Sequence, residues 1–188
     1  MIETIKKCSN CNLCHNQLPL LDTNYTNACI MWVGLSAKIV NDIKTERPLE
    51  NNTNTGKIIE KIEANHDCFY KTNLVKCVPL DEKNKLRYPN KDEMNLCFDN
   101  LLLELITIKP KIVFLLGSKV SNFVLNKLKS KKFKKETNQE ILDILENIDF
   151  QNIYHPSYIA VYKRKEENNY IQKVQNIISS KVELYNVY

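Results

Sequence analysis

Residues 69–77 read FYKTNLVKC, and the rest of the chain is arranged around this stretch. Phe69, Tyr70, Leu74 and Val75 give it the composition of a strand. Asn73 falls near its downstream end, where open α/β sheets place their binding groups. Cys77 follows four residues later, and Pro79 lies just beyond. One short segment therefore offers a side-chain amide, with a donor and an acceptor on one plane, and a thiolate suited to a metal site. A buried strand carrying an incidental Asn and Cys is the plainer alternative.

Working outward, residues 29–34, CIMWVG, form an earlier strand: a short apolar run ending in Gly fits a buried parallel strand. Residues 111–116, KIVFLL, form a third, and residues 150–154 a fourth. Helical patterns fall between them. Residues 57–64 place Ile58, Ile59 and Ile62 on one face, with Thr53 or Thr55 as a cap. Asn90 caps a helix running to about Ile108, with Asp92 and Glu93 in its first turn and Leu96, Leu103 and Ile106 on or near its apolar face. Helices also follow Gly117, span 138–147, and cover about 166–184, where Ile171, Val174, Ile178 and Val182 recur at helical spacing. The long polar segment after Gly34 and the segment 80–90 read as loops; long loops in a compact domain are usually functional. Residues 127–135 hold six lysines and read as a solvated surface loop, or as a contact for a polyanion.

Strands alternating with helices predict a three-layer α/β/α domain, a central and mainly parallel four-stranded sheet filling residues 1–188 as one unit. In such sheets chemistry gathers at the strand C-termini. Here those ends supply the loop after Gly34, then Asn73, then Ser118, then His155.

Composition narrows the function. The chain has 188 residues, 43% of them apolar, and a net charge of +5, which is compatible with a polyanionic partner. Three glycines leave no room for a glycine-rich phosphate cradle. No apolar run is long enough for a membrane span, and the N-terminus lacks a secretory h-region, so a cytoplasmic or nuclear monomer is expected. Seven cysteines in such a chain argue against a disulfide framework and for a metal site. Residues 6–15, KKCSNCNLCH, contain C-x-x-C twice over, a spacing that brings two thiolates to one metal. A redox C-x-x-C is the alternative, though that motif usually follows a strand and opens a helix.

These motifs together resemble the family 4 uracil-DNA glycosylases, the iron–sulfur branch of the uracil-DNA glycosylase superfamily. The matching pieces are CSNCNL at 8–13, VG at 33–34, TERPL at 45–49, Gly56, TNLVKCVP at 72–79, Cys97 in a following helix, KPKIVFLLG at 109–117 and YHPSY at 154–158. They occur in the family's order and span nearly the whole chain. The resemblance implies that Cys8, Cys11, Cys77 and Cys97 ligate a [4Fe–4S] cluster, with zinc in a Cys₄ site as the alternative. It implies that Asn73 reads uracil, accepting from N3–H and donating to O4, a pattern cytosine reverses. It implies that His155 stabilises the negative charge developing on O2. DNA is the implied partner, entered through a flipped base. Ser118, Lys119, Ser157, Tyr158, Ile159, Lys163 and Arg164 are the expected DNA contacts, with Tyr158, Ile159 or Tyr162 filling the gap the base leaves.

The first motif departs from the family. Where the family reads VGEAPG, this chain reads VGLSAK: Leu35 replaces the glutamate, Ser36 follows, and Ala37-Lys38 replaces Pro-Gly. Asn41 or Asp42 stands near the position of a downstream acid and is the expected water-orienting group. Leu49 takes the place of a stacking phenylalanine, so Leu49, Leu35 and Ser36 would shape the base pocket with Asn73. The expected activity is a monofunctional glycosylase acting on uracil or a related modified pyrimidine. The alternative is a DNA-binding or protein-interaction module on the same scaffold, without chemistry.

Overall fold

The structure is a computed structural model that describes residues 2–24, 26, 28–63 and 68–182. Four strands, β1 (Ile30–Ser36), β2 (Phe69–Val75), β3 (Ile112–Leu116) and β4 (Asp149–Ile153), alternate with helices. The helices are α1 (Ile2–Ile5), α2 (Asn54–Glu63), α3 (Lys91–Ile108), α4 (Ser118–Lys129), α5 (Lys131–Glu136), α6 (Gln139–Glu146), α7 (Pro156–Tyr162) and α8 (Glu167–Val182). The sheet order is β2-β1-β3-β4, and every pairing is parallel. None of the described helices is long and apolar enough to cross a membrane.

Both faces of the sheet are covered, which is why the strands read as continuous apolar runs. Alternate residues of β1 go to opposite sides. Ile30 and Trp32 join Ile112, Phe114, the α2 isoleucines and Val174 and Ile178 of α8. Met31 and Val33 join Val113, Leu115, Phe98 and Leu101 of α3 and Val120 and Val124 of α4. The expected three-layer α/β/α arrangement is the observed one. Because the chain runs from β1 outward to β2 and then returns to place β3 on β1's other side, the strand order reverses between β1 and β3. That crevice, at the strand C-termini, is where open α/β sheets bind ligands.

Several local expectations hold at residue level. Asn90 caps α3 in a capping box with Glu93, and Thr53 caps α2 by accepting from the Gly56 amide at 3.0 Å. Others are corrected. Leu96 is exposed; the buried face of α3 is Cys97, Phe98, Leu101, Glu104 and Leu105, so a carboxylate lies inside the apolar stripe. The lysine-rich segment is the end of α4 and the short helix α5, which Ser130 caps through the Phe133 amide, so it is not a loop. Cys29 and Cys68 are joined as a disulfide, with Cα atoms 5.2 Å apart. The register Ile30↔Phe69 sets the preceding residues side by side, so an odd number of cysteines did not preclude one pair. Ala64 and Leu184, expected helix ends, lie outside the described residues, as does the Val182 side chain.

Candidate active site

The crevice between β1 and β3 opens into a cavity of about 1090 Å³. Gly34, Leu35 and Ser36 enter it from β1, Asn73 from β2, Gly117 and Ser118 from the β3–α4 junction, and His155 and Ser157 from the start of α7. The two side chains predicted to act together therefore face one space. Each stands against a glycine. A Cβ on Gly34 would lie 2.3 Å from Asn73 Oδ1, and one on Gly117 would lie 3.3 Å from His155 Cβ. Gly34 is register partner to Asn73, so its missing side chain is the room the carboxamide occupies. Gly117 has φ 89°, a conformation that favours glycine, and its amide donates to Ile153 O at 2.9 Å, drawing the end of β4 and His155 inward.

Asn73 is buried, and its backbone is held from behind. The Lys76 ammonium donates to Asn73 O at 2.5 Å, to Thr72 Oγ1 at 2.9 Å and to Glu104 Oε2 at 2.5 Å. Glu104 also accepts from the Tyr70 hydroxyl at 2.8 Å and from Thr72 at 3.0 Å. Lys76 and Glu104 are both fully buried, so this ion pair is shielded from water and saturated by hydrogen bonds. Sequence reasoning missed it. The available signal was a glutamate at position 104 inside LLLELI, since a buried carboxylate needs a cationic partner.

His155 caps α7: its Nδ1 faces the Ser157 amide at 3.3 Å and the Ser157 hydroxyl at 2.8 Å. Accepting from the amide leaves Nδ1 unprotonated, so the neutral ring carries its proton on Nε2. Burial pushes the imidazole below its ordinary value, which keeps it neutral near pH 7.

Leu35, Ser36 and Leu49, expected around the base, and Ser118, Lys119, Ser157 and Tyr158, expected at DNA, all line the cavity. Leu49 does so with φ 56°, a strained backbone for a leucine, and its Cδ2 would lie 3.3 Å from a Cβ on Gly34. Asn41 and Asp42 are not brought to the cavity. Both are exposed, and the Asp42 carboxylate is spent within its own turn, accepting from the Lys44 amide at 2.9 Å and the Thr45 hydroxyl at 3.0 Å. Those bonds, the Lys44 amide first, hold its carboxyl below the usual range. Ile159 is buried in the core behind α7 and cannot reach into DNA. Lys163 and Arg164 lie outside the cavity, and Lys163 pairs with Glu166 at 3.1 Å. Lys38, Arg87 and Tyr88 line it without having been singled out; the loop that delivers Arg87 and Tyr88 is fixed by the Arg87–Glu93 pair at 2.5 Å. No Asp or Glu is among the described lining residues, and the N-terminal turns of α2 and α4 contribute Thr55, Ser118 and Lys119.

A second, narrow cavity is lined by five cysteines: Cys8, Cys11, Cys14, Cys77 and Cys97. Cys8, Cys11, Cys77 and Cys97, the four expected as ligands, thus line one cavity together with Cys14. The Asn100 amide donates to Cys8 Sγ at 3.3 Å and lies 3.8 Å from Cys97 Sγ, and the Lys76 amide donates to Cys97 Sγ at 3.3 Å. Burial, and then the neighbouring Cys97, Cys11, Cys8 and Cys14, push the Cys77 thiol up. Among the described residues, no three His, Cys, Asp or Glu side chains close on one point as ligands of a single ion would.

A sequence model of the Uracil DNA glycosylase superfamily matches residues 24–178, a span that includes Gly34, Asn73, Gly117 and His155. The chain belongs to that superfamily. Among solved structures, the fold is similar to the wild-type SMUG2 of Pedobacter heparinus, with a TM-score of 0.56 and 15% identity over 82% of this chain and 76% of that one. No curated protein sequence matches the chain. For a uracil DNA glycosylase superfamily member, the β1–β3 crevice is the place to read the chemistry.

Proposed function

We propose that this protein is a monofunctional DNA glycosylase that hydrolyses the N-glycosidic bond of uracil or a closely related pyrimidine. One observation carries the reading: Asn73 and His155 open onto a single cavity, each seated against a glycine. A flipped uracil placed there meets an amide oxygen that accepts from N3–H and an amide nitrogen that donates to O4. Cytosine presents an acceptor at N3 and a donor at N4, so the same amide opposes it with like groups.

The chemistry follows from what surrounds the base. As the bond to C1′ breaks, its electron pair leaves with the ring and charge grows on O2. The Nε2–H of His155 is the donor for that charge, and because the charge is largest in the transition state the contact accelerates the step. The N-terminal turns of α2 and α4 carry partial positive charge towards the same space, and the lack of a lining carboxylate spares the departing anion a like charge. Water then adds at C1′, and its proton is released to solvent. Among the described residues no carboxylate lines the cavity to take that proton, so departure of the base, and not activation of water, is where these residues lower the barrier.

The cysteine cavity fits a sulfur-ligated group, because its donor set is five thiols with an amide side chain bridging two of them. Cys8, Cys11, Cys77 and Cys97 would hold it, and when bound it supplies a cross-link between the N-terminus, the segment after β2 and α3. The same thiols would serve either a [4Fe–4S] cluster or a zinc ion in a Cys₄ site.

Incubating the protein with a uracil-containing oligonucleotide and then with alkali tests the reading. Strand cleavage by wild type is expected, with a loss of about 10²–10³-fold in His155→Ala. No cleavage on uracil or any modified pyrimidine, from folded protein, would contradict it. The missing carboxylate favours one other reading, DNA binding without chemistry, which predicts a retarded strand and no abasic product.

A further inference from the structure

Among the described residues six buried side chains are polar or charged, and only two of them, Asn73 and Thr55, line the cavity. They are 3% and 7% exposed. The other four are satisfied inside the fold. Thr72, Lys76 and Glu104 bond to one another, and the Ser121 hydroxyl meets Gly117 O at 2.8 Å and Asn152 Oδ1 at 2.7 Å. The Thr55 hydroxyl has no hydrogen-bond partner among the described residues, and neither does the Asn73 carboxamide. Nor is the Thr55 oxygen sealed in the core: the described buried atoms that lack a partner are on Trp32, Glu63, Thr107 and Asp149. The hydroxyl therefore opens onto the cavity that Thr55 lines. Leaving a buried hydroxyl unbonded costs about 1–3 kcal/mol, so this one carries the same mark of a ligand contact as Asn73.

Thr55 stands in the first turn of α2, and the local structure fixes it there. Thr53 caps the helix: its Oγ1 accepts from the Gly56 amide at 3.0 Å and donates to Glu50 O at 2.9 Å, while its carbonyl accepts from the Lys57 amide at 2.9 Å. The cap leaves the amides of Asn54 and Thr55 without a partner, so the positive end of a ten-residue helix stands open behind the hydroxyl. Gly56 is pressed against the turn that follows Leu49, where a Cβ would run into Glu50 O. Beneath it, Ile58 and Ile59 share one core cluster with Leu49 and with Ile159 of α7. Thr55 thus sits on the wall that joins Leu49 to the helix capped by His155.

We propose that Thr55 is a further catalytic residue: its hydroxyl donates, alongside His155, to the departing base. The proposal rests on reading the cavity as a glycosylase site, and it gives the leaving anion a second donor backed by the open end of α2. Thr55 gives up no proton. The electron pair of the C1′–N1 bond passes to the ring, charge grows on O2, and the hydroxyl strengthens its hydrogen bond as that charge rises. A hydroxyl rotates to suit its acceptor, and no described carboxylate lines the cavity to compete for it.

Single-turnover excision of uracil and of 5-fluorouracil from otherwise identical oligonucleotides tests the proposal, with wild type, Thr55→Val and Thr55→Ser. Fluorine withdraws charge from the ring, so 5-fluorouracil departs with less help. Thr55→Val keeps the shape and removes the donor. It should slow uracil excision by about 10²-fold and 5-fluorouracil excision by less than about tenfold. Thr55→Ser, which keeps the hydroxyl, should recover most of the uracil loss. Thr55→Val should melt at or above the wild-type temperature, since no bond within the fold is broken. An undiminished rate on uracil, an equal loss on the two bases, or a valine variant that melts several degrees lower would each overturn the proposal and leave the glycosylase reading in place. A folded wild type that releases neither base would overturn that reading, and this proposal with it.

Discussion

Replacing Gly34 by Ala adds one methyl group directly beneath the base-reading amide. The new Cβ would lie 2.3 Å from Asn73 Oδ1 and 3.4 Å from Asn73 Cγ, while ordinary contact begins at 3.4 Å. The oxygen must therefore retreat by the difference between 3.4 and 2.3 Å, about 1.1 Å. It is the tip of a side chain, and Leu49, the other neighbour at 3.3 Å, is also a side-chain end, so the sheet need not move. A reacting or reading group displaced by roughly 1 Å costs about 10²-fold in rate, or about 2.7 kcal/mol of transition-state binding. Stability should hardly change, since alanine in a strand removes unfolded-state freedom worth about 0.4–1 kcal/mol and introduces no polar group. The assay is single-turnover excision of uracil alongside thermal melting. A Gly34→Ala protein that melts like wild type and excises about a hundredfold more slowly is expected. One that excises at the wild-type rate would refute the placement of Asn73 as the reading group.

Glu104→Leu leaves the Lys76 ammonium buried without its counter-charge and should destabilise the fold by about 3–5 kcal/mol, read by urea unfolding; a loss under about 1 kcal/mol would show that the pair is dispensable. Burial lowers the folded-state affinity of His155 for a proton relative to the unfolded chain. Its contribution to stability is therefore full above about pH 6.5 and is lost as pH falls through the folded value. Excision should fall over the same acid range with a one-proton slope, because a proton on Nδ1 would oppose the Ser157 amide, and His155→Gln should remove that limb from the pH–rate profile. Cys97→Ser should strip bound iron and sulfide and the visible absorption from protein purified without oxygen, whereas Cys14→Ser should keep both; iron retained in Cys97→Ser would break the proposed ligand set.

The parallel sheet was legible because buried strands carry their own signature. CIMWVG and KIVFLL are too short for helices and too apolar for edges, and the intervening periodicity left a crossover topology as the only arrangement that covers both faces. The place of Asn73 and His155 at strand C-termini was legible for the same reason, since those ends converge in such a sheet, while their roles came from the resemblance to the glycosylase family. What escaped notice depends on distant parts of the chain. Glu104 looks like a surface residue until Lys76, Thr72 and Tyr70 are folded against it from 28, 32 and 34 residues away. Asp42 looked like a free acid because its hydrogen bonds to Lys44 and Thr45 belong to a turn that only the folded loop reveals. Ile159 was expected at DNA beside Tyr158 and Tyr162, yet the helix α7, which the sequence reading did not place, turns its side chain into the core while Tyr158 and Tyr162 are exposed.

Base release itself puts the account at most risk. Wild type and Asn73→Ala would each be mixed with oligonucleotides that differ only in holding uracil or cytosine at one position, and the freed base weighed by mass spectrometry. The account predicts uracil released by wild type, no cytosine, and neither base from Asn73→Ala over the same interval. Cytosine freed as readily as uracil, or uracil freed equally by the alanine variant, would contradict it.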